Sequence, residues 1–280
     1  MEKPRQTGLM MAALLASSAL FAQPDPAAAK DKPVFKAGAF YTSRLHYYGR
    51  TDSLRSSGFF PLAELWANHH FYINAAPVFV MNSTSPFEYA GTVTTAGIRL
   101  FKDNEYNASI YVVKPFYRNN SQLVQSALKM QGAVTYTWLN KFINITAGAD
   151  IKWSDKFDYG ATAGLDHIFR NELPGGFVLV LDPTAIVNAG TQQFTRTSYK
   201  KSGFLFFPGI EERVTEEVSK FNILSYEFSM PLVLAKNKFQ LILNPAYVIP
   251  QNLVKVDNRP DLSERGKNMF YVTAGAKLTF

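Results

Sequence analysis

No cysteine occurs among the 280 residues. That excludes a disulfide framework, a thiolate metal site, a cysteine nucleophile and a lipid-modified N-terminal cysteine. Charge is sparse too, at 18% of residues, against 47% hydrophobic and 14% aromatic. Such a composition argues against disorder. Beyond the N-terminus no apolar run approaches about 20 residues, so a helical membrane protein is not expected. The net charge of +7 comes from scattered rather than clustered basic residues, which gives no reason to expect a nucleic-acid partner.

What the chain does have begins with an address. Lys3 and Arg5 precede an Ala- and Leu-rich stretch from Leu9 to Phe21, followed by small residues that offer cleavage after Ala22 or Ala29. This is the layout of a secretory signal peptide, expected over residues 1–29, with one domain over 30–280.

From Phe35 onward the hydrophobic period is 2 rather than 3.6. In Phe142 to Lys152, one parity reads Ile143, Ile145, Ala147, Ala149, Ile151 and the other Asn144, Thr146, Gly148, Asp150, Lys152. An extended chain sends these two sets to opposite faces. The pattern predicts twelve strands, near 35–48, 58–67, 70–82, 87–101, 105–118, 123–139, 142–154, 158–170, 176–198, 219–235, 238–250 and 268–280. Many exceed the five or six residues of a globular strand and reach the roughly nine to eleven that cross a membrane. Tight turns alternate with looser connections, as in a barrel with short turns at one end and longer loops at the other. The fold expected is all-β, a transmembrane antiparallel meander barrel; a soluble sandwich or barrel is the competing architecture.

The chain ends Thr273-Ala274-Gly275-Ala276-Lys277-Leu278-Thr279-Phe280. Thr273, Gly275, Leu278 and Phe280 resemble the C-terminal β-signal of outer-membrane proteins. The resemblance implies recognition by the barrel assembly machinery, with Gly275, Leu278 and Phe280 as the assembly signal. The body also resembles uncharacterised outer-membrane β-barrel proteins of the Bacteroidetes kind, through Tyr48-Gly49-Arg50-Thr51-Asp52, Gly164-Leu165-Asp166-His167, Asn188-Ala189-Gly190-Thr191-Gln192 and the run from Asn244 to Gln251. This implies location in a bacterial outer membrane, in contact with its lipids and lipopolysaccharide, and brings no established activity.

Lipid offers no hydrogen bonds, so the sheet must close and charges must turn inward. Each Arg or Lys facing mid-bilayer costs roughly 2–4 kcal/mol. The lipid face is expected to carry Ile143, Ile145, Ile151, Leu165, Phe169, Leu224, Phe228 and Leu278. Interfacial aromatics are expected at Tyr41, Tyr47, Trp66, Tyr117, Trp138, Trp153, Tyr247 and Phe280. The lumen is expected to be lined by Arg44, Glu64, Arg99, Lys129, Asp150, Lys152, Asp158, Asp166, Asp182 and Glu227, with Gly97, Gly148, Gly160, Gly164 and Gly275 giving their side chains room. Both signs are present. They suit a narrow path for a small polar solute, and they suit equally a set of ion pairs that fills the lumen.

Catalytic patterns are scarce. Two residues after His46, His69, His70 and His167 stand Tyr48, Phe71, Tyr72 and Phe169, so the His–Ser pair of barrel lipases and deacylases is missing. Asp166 and His167 point to opposite faces of a regular strand. No metal site and no cofactor are expected, and a lipid-acting enzyme ranks third, behind a channel and a closed structural or surface-interaction barrel. In the longest connection, near Tyr199 to Lys220, Phe204, Phe206 and Phe207 are too apolar for a free loop and are expected to fold over or into the mouth as a gate.

Overall fold

The computed structural model describes residues 32–52, 54–118, 128–192, 220–253 and 263–280. The secretion signal expected over residues 1–29 and the Phe204, Phe206 and Phe207 cluster lie outside them.

The strands are β1 (Val34–Thr42), β2 (His46–Tyr47), β3 (Arg50–Thr51), β4 (Ser57–Trp66), β5 (Phe71–Met81), β6 (Glu88–Lys102), β7 (Tyr106–Tyr117), β8 (Met130–Trp138), β9 (Asn144–Trp153), β10 (Phe157–Asp166), β11 (Phe169–Leu173), β12 (Phe177–Leu181), β13 (Thr184–Gly190), β14 (Asn222–Ser229), β15 (Leu232–Lys236), β16 (Phe239–Pro250) and β17 (Met269–Thr279). All but the small β2–β3 hairpin join one 15-stranded antiparallel sheet, which closes where β1 pairs with β17. β10–β11, β12–β13 and β14–β15 are each one long strand in two pieces, so the barrel has 12 strands. Two of these interruptions fall at Pro183 and Pro231, which have no N–H to give the ladder. The chain stays in register across them, because His167 N donates to Pro183 O and Asp182 N to Pro231 O.

Short turns close the end that holds Val34 and Thr279. Asn104 and Asn237 adopt positive φ (60° and 52°) at two of them, the left-handed conformation Asn tolerates best after Gly. At a third, the Asn68 side chain accepts hydrogen bonds from the N–H groups of His70 and Phe71. The opposite end carries the connections 43–56, 82–87, 118–129, 191–221 and 251–268. At the same end, the connection at Asp155–Lys156 is a tight turn, Ser154 N donating to Lys156 O.

The outer surface is apolar. Ile73, Ile110, Val134, Ile145, Ile151, Leu165, Phe228 and Leu241 are all exposed, and Trp138, Trp153, Tyr247, Phe270 and Phe280 stand toward the strand ends. A water-soluble protein does not display so extensive an apolar surface; a lipid-facing barrel requires it. The next residue along each strand is turned inward, polar or small along β8, β9 and β10 and largely apolar along β4, β5, β12, β15 and β16.

Four residues expected on the lipid face or its aromatic borders are inside. Leu224 is buried because the pairing of β13 with β14 shifts register at Asn188/Ala189, which reverses the parity beyond it. Tyr47 lies on the first loop and not on a strand wall. Tyr117 packs against the apolar cluster inside the barrel. Trp66 shares the inward parity of Glu64, and its Nε1 donates to Glu64 Oε1 at 2.7 Å.

Val134→Arg, at an exposed position in the middle of β8, is expected to destabilise the barrel in lipid vesicles by roughly 2–4 kcal/mol, while Val134→Leu changes stability little. Urea unfolding in vesicles checks both.

Candidate functional site

Because each strand is paired along most of its length, inward residues of neighbouring strands line up in rows that climb around the barrel. One row runs Lys36, Glu64, Asn74, Thr95, Val113, Gln131, Lys152, Asp158. The next runs Trp66, Tyr72, Gly97, Tyr111, Ala133, Asp150, Gly160, Gly190. The third runs Arg99, Ser109, Thr135, Gly148, Thr162, Asn188, Ser225. Each row starts near the short-turn end and finishes near the loop end.

The rows differ in chemistry and in access. The first is charged at both ends and buried through its middle, where Asn74 Oδ1, Thr95 Oγ1 and Gln131 Oε1 have no hydrogen-bond partner. The second and third keep Trp66, Tyr72, Tyr111, Ala133, Arg99, Thr135, Gly148 and Thr162 half-buried, so this wall still presents surface to the interior. Toward the loop end of β4–β7 the interior is packed with Leu45, Phe60, Val78, Val80, Ala90, Val93 and Val113, and Tyr111 packs against this cluster. The loop half of these strands is therefore sealed by apolar packing, and the wall beside it is lined by small residues, hydroxyls and aromatic rings.

Charged groups gather at two levels. At the short-turn end Lys277 Nζ donates to Glu64 Oε1 at 3.0 Å, with Lys36 Nζ at 3.9 Å from the same oxygen and over the Trp66 ring. Arg99 Nε donates to Asn107 Oδ1 at 2.9 Å. Nearby, Asn144 Nδ2 donates to Asp166 Oδ2 at 2.7 Å, and Asp182 is buried with Oδ1 unpartnered. Toward the loop end Lys152 pairs with Asp150, and Thr191 Oγ1 donates to Asp158 Oδ1 at 2.6 Å. Tyr271 donates its hydroxyl proton to Glu227 Oε1 at 2.6 Å. A Cβ at Gly160 would strike the Asp150 carboxylate, so glycine here is what lets that side chain lie along the wall.

Among the described residues it is the first loop, 43–56, that enters the barrel. Leu45 and His46 are each 1% exposed, and the β2–β3 hairpin turns at Tyr48 and Gly49 with positive φ (51° and 79°). A side chain at Gly49 would meet the Pro250 ring at 2.8–3.0 Å, so only glycine fits both that conformation and that contact. Arg50 then clasps the loop in place. Its Nε donates to Glu264 Oε2 at 3.0 Å, and its terminal nitrogens donate to the carbonyls of Tyr48, Leu224, Gln251 and Asn252. Asp52 accepts from Ser56 N at 2.9 Å and from the Ser56 hydroxyl. The His46 ring packs edge-on to Tyr271 at 4.3 Å, and Lys152 lies over the Tyr48 ring at 6.0 Å.

Of the ten residues expected to line the lumen, Glu64, Arg99, Asp150, Lys152, Asp158, Asp166, Asp182 and Glu227 lie on inward parities. Arg44 and Lys129 do not. Arg44 is exposed on the first loop, donating to the carbonyls of Ser43 and Arg55, and Lys129 pairs with Asp155 outside the barrel mouth. Both adjoin connections, where strand parity no longer dictates direction. The sequence reading passed over Lys36, Lys277, Tyr72 and Tyr111. Their signal was present: each shares parity with an inward residue two positions away, namely Gly38, Gly275, Asn74 and Ser109. Arg50 had no such signal, because it works from a loop.

Gly275 faces inward beneath the Phe40 ring, while Leu278 and Phe280 face out, Phe280 N donating to Phe35 O at 2.8 Å. Among the described residues no hydrogen bond joins a histidine to a serine. His70 Nδ1 is 2.8 Å from Arg99 O, and His167 packs on Phe169, on the face opposite Asp166. Among the described residues no three metal-ligating side chains converge.

Glu64→Leu would leave Lys36 and Lys277 without their shared carboxylate. A loss of about 3 kcal/mol is expected, read as a lower temperature at which the folded band on a semi-native gel converts to the unfolded one; Glu64→Gln should recover part of it.

No protein-family model matches this chain, and no curated protein sequence does. Among solved structures it is similar to the KdgM porin, with a TM-score of 0.49 and 6% identity over 88% of this chain and 99% of that one. It is similar to an outer membrane channel from Pseudomonas putida (TM-score 0.45, 11% identity, 92% and 99% covered). It is also similar to LpxR from Salmonella typhimurium (0.43, 8%, 87% and 99%). The likeness is one of fold and assigns no solute.

Proposed function

We propose that this protein is a narrow channel of a bacterial outer membrane that passes small polar solutes. The observation that carries the reading is the half-buried surface of Arg99, Thr135, Gly148 and Thr162 beside Tyr72 and Ala133, which climbs from the short-turn end of β6 toward the loop end of β10, past the apolar packing on the loop half of β4–β7. Acidic and basic groups alternate at both ends of that wall: Lys36, Glu64 and Lys277 at the short-turn end, and Asp150, Lys152 and Asp158 at the loop end. A path flanked by both signs admits neutral and zwitterionic solutes without a large barrier of either sign. The hairpin held by Arg50 narrows the loop end and sets the size limit.

On the same reading, residues 1–29 direct export, Gly275, Leu278 and Phe280 are read by the barrel assembly machinery, and the apolar belt contacts membrane lipids and lipopolysaccharide. The Bacteroidetes resemblance of the body belongs to this reading. A second reading has one specific observation in its favour: Leu45, Phe60, Val78 and Val80 pack inside the barrel as a core would, as in a closed structural barrel.

The mature barrel, refolded into planar bilayers, is expected to show stable unitary current steps. Lys36→Glu and Lys277→Glu, at the accessible end of the path, are expected to shift the reversal potential toward cation selectivity. A folded, heat-modifiable barrel that stays silent would contradict the channel and favour the closed barrel.

A further inference from the structure

The lipid-facing surface carries a charge that the chain itself does not neutralise. On β7 the outward parity reads Val112, Lys114, Phe116, all exposed. Among the described strands Lys114 is the one charged side chain that faces outward away from a strand end. It stands three residues before the end of β7, about 10 Å along the strand from the loop rim. Its ammonium lies over the Phe116 ring, 5.8 Å from the centroid, and so leans toward the loop end rather than into the bilayer. Two other cations outside the barrel have carboxylate partners, Lys102 with Glu105 at 2.6 Å and Lys129 with Asp155 at 3.3 Å. Among the described residues no carboxylate pairs with Lys114; the one acid of β6, Glu88, stands opposite Val80 on the inward parity.

Further donors stand beside it. Arg118 N donates to Ala90 O at 3.1 Å, which carries the β6–β7 ladder one residue past Tyr117. Arg118 is exposed and shares the parity of Lys114 and Phe116, so the outward column of β7 ends Lys114, Phe116, Arg118. The connection that follows, 118–129, contains no acidic residue. Across the ladder Thr94 is opposite Lys114, and Thr92 is opposite Phe116. Thr94 Oγ1 donates to Lys114 O at 2.9 Å. Tyr89 OH and Thr92 Oγ1 lie 2.7 Å apart and exposed; that bond uses one of their two hydroxyl protons and leaves the other for an outside acceptor. One step further into the belt, Gly132 on β8 stands opposite Val112, and a Cβ there would meet no atom within 4 Å. The apolar belt therefore has an open notch beneath the cations.

Cations without a carboxylate, a spare hydroxyl proton and a notch in the belt below them match an amphiphile with an anionic head and acyl chains. A phosphate oxygen accepts from an ammonium, a guanidinium and a hydroxyl alike, and these bonds are charge-assisted. A zwitterionic phospholipid brings an amine with its phosphate and neutralises it; a phosphorylated glycolipid does not. We propose that Lys114, Arg118 and the Tyr89–Thr92 hydroxyl pair form a binding site on the outer wall for lipopolysaccharide, with a phosphate of its lipid moiety on the two cations and an acyl chain along Gly132. The inference deepens the reading above by giving the lipid contact of the belt a place. It rests on the outer-membrane part of that reading and not on conduction. The test separates lipid binding from a lysine that only reaches past the bilayer edge into water.

The probe is lipid A carrying two phosphates, titrated into the mature barrel in detergent, with bound lipid counted by native mass spectrometry; phosphatidylethanolamine is the control. Lipid A is expected to bind saturably, and phosphatidylethanolamine at equal concentration is not. Lys114→Ala/Arg118→Ala should weaken the apparent affinity at least about tenfold, while Lys114→Arg, which keeps the charge, should leave it within about threefold. Taking a charge off the lipid face does not threaten the fold, and a heat-modifiable gel band checks that the variants are folded. Lys102→Ala, at the opposite end and with its own carboxylate partner, should leave the affinity within about twofold. An absence of saturable binding, an affinity untouched by the double variant, an equal loss in Lys102→Ala, or equal binding of phosphatidylethanolamine would overturn the proposal. Single-channel current in the same samples separates the two readings. A conducting barrel that binds no lipid A loses the site and keeps the channel; a silent barrel whose lipid A binding falls in the double variant loses the channel and keeps the site.

Discussion

A bilayer interior offers the backbone no hydrogen-bonding partner, and the rest of this structure follows from that constraint. Every strand N–H and C=O must meet another strand, so the first and last strands must meet each other, as β1 and β17 do from Lys36–Thr279 to Thr42–Thr273. Closure fixes the register all the way round. Fixed register means that an inward residue on one strand has a defined inward neighbour on the next, and the rows from Lys36 to Asp158 and from Trp66 to Gly190 are the consequence. Even where Pro183 and Pro231 interrupt their strands, the bonds on either side hold the alignment.

A barrel of this size has an interior too small to leave empty and too large for strand side chains alone to fill evenly. The chain resolves this asymmetrically. On the loop half of β4–β7, Phe60, Val78, Val80 and Val113 pack with Leu45, which the first loop brings in. Lower on β6 and along β8–β10, glycine and alanine at 97, 133, 148 and 160 keep the wall thin, with the Tyr72 ring over Gly97 and the Asp150 carboxylate over Gly160. Arg50 makes the arrangement one unit. Its pairing with Glu264, both side chains 4% exposed, ties the first loop to the last, and its bonds to the carbonyls of Leu224 and Gln251 tie both to the wall. Removing such a buried charge from its partners is costly, which is what holds the hairpin inside.

Much of this was legible before any coordinates. The stretch Phe142 to Lys152 separates its faces as read: Ile145 and Ile151 look to lipid, and Asp150 and Lys152 look inward and pair. Expectation and structure part in three physical situations. At Leu224 a register shift reversed the parity. At Arg44, Tyr47 and Lys129 the chain had left the wall, so alternation no longer applied. At Trp66, closeness to a turn suggested an interfacial ring, although Glu64 two residues earlier already marked that face as internal. The gate expected at Phe204, Phe206 and Phe207 lies outside the described residues. Among the described residues the first loop is held inside by Arg50 and Asp52, and polar clasps formed between distant segments leave no local pattern to read.

The central claim is that the wall carrying Thr135 and Thr162 borders water while its alternate residues border lipid. The natural absence of cysteine makes this directly measurable, since any introduced thiol is the only one present. Single cysteines would be placed at Thr135, Thr162, Val134 and Ala163, and the barrel in lipid vesicles treated with a charged, membrane-impermeant thiol reagent. The account requires labelling at Thr135→Cys and Thr162→Cys, and none at Val134→Cys and Ala163→Cys. Labelling at the second pair, or at neither, would contradict it.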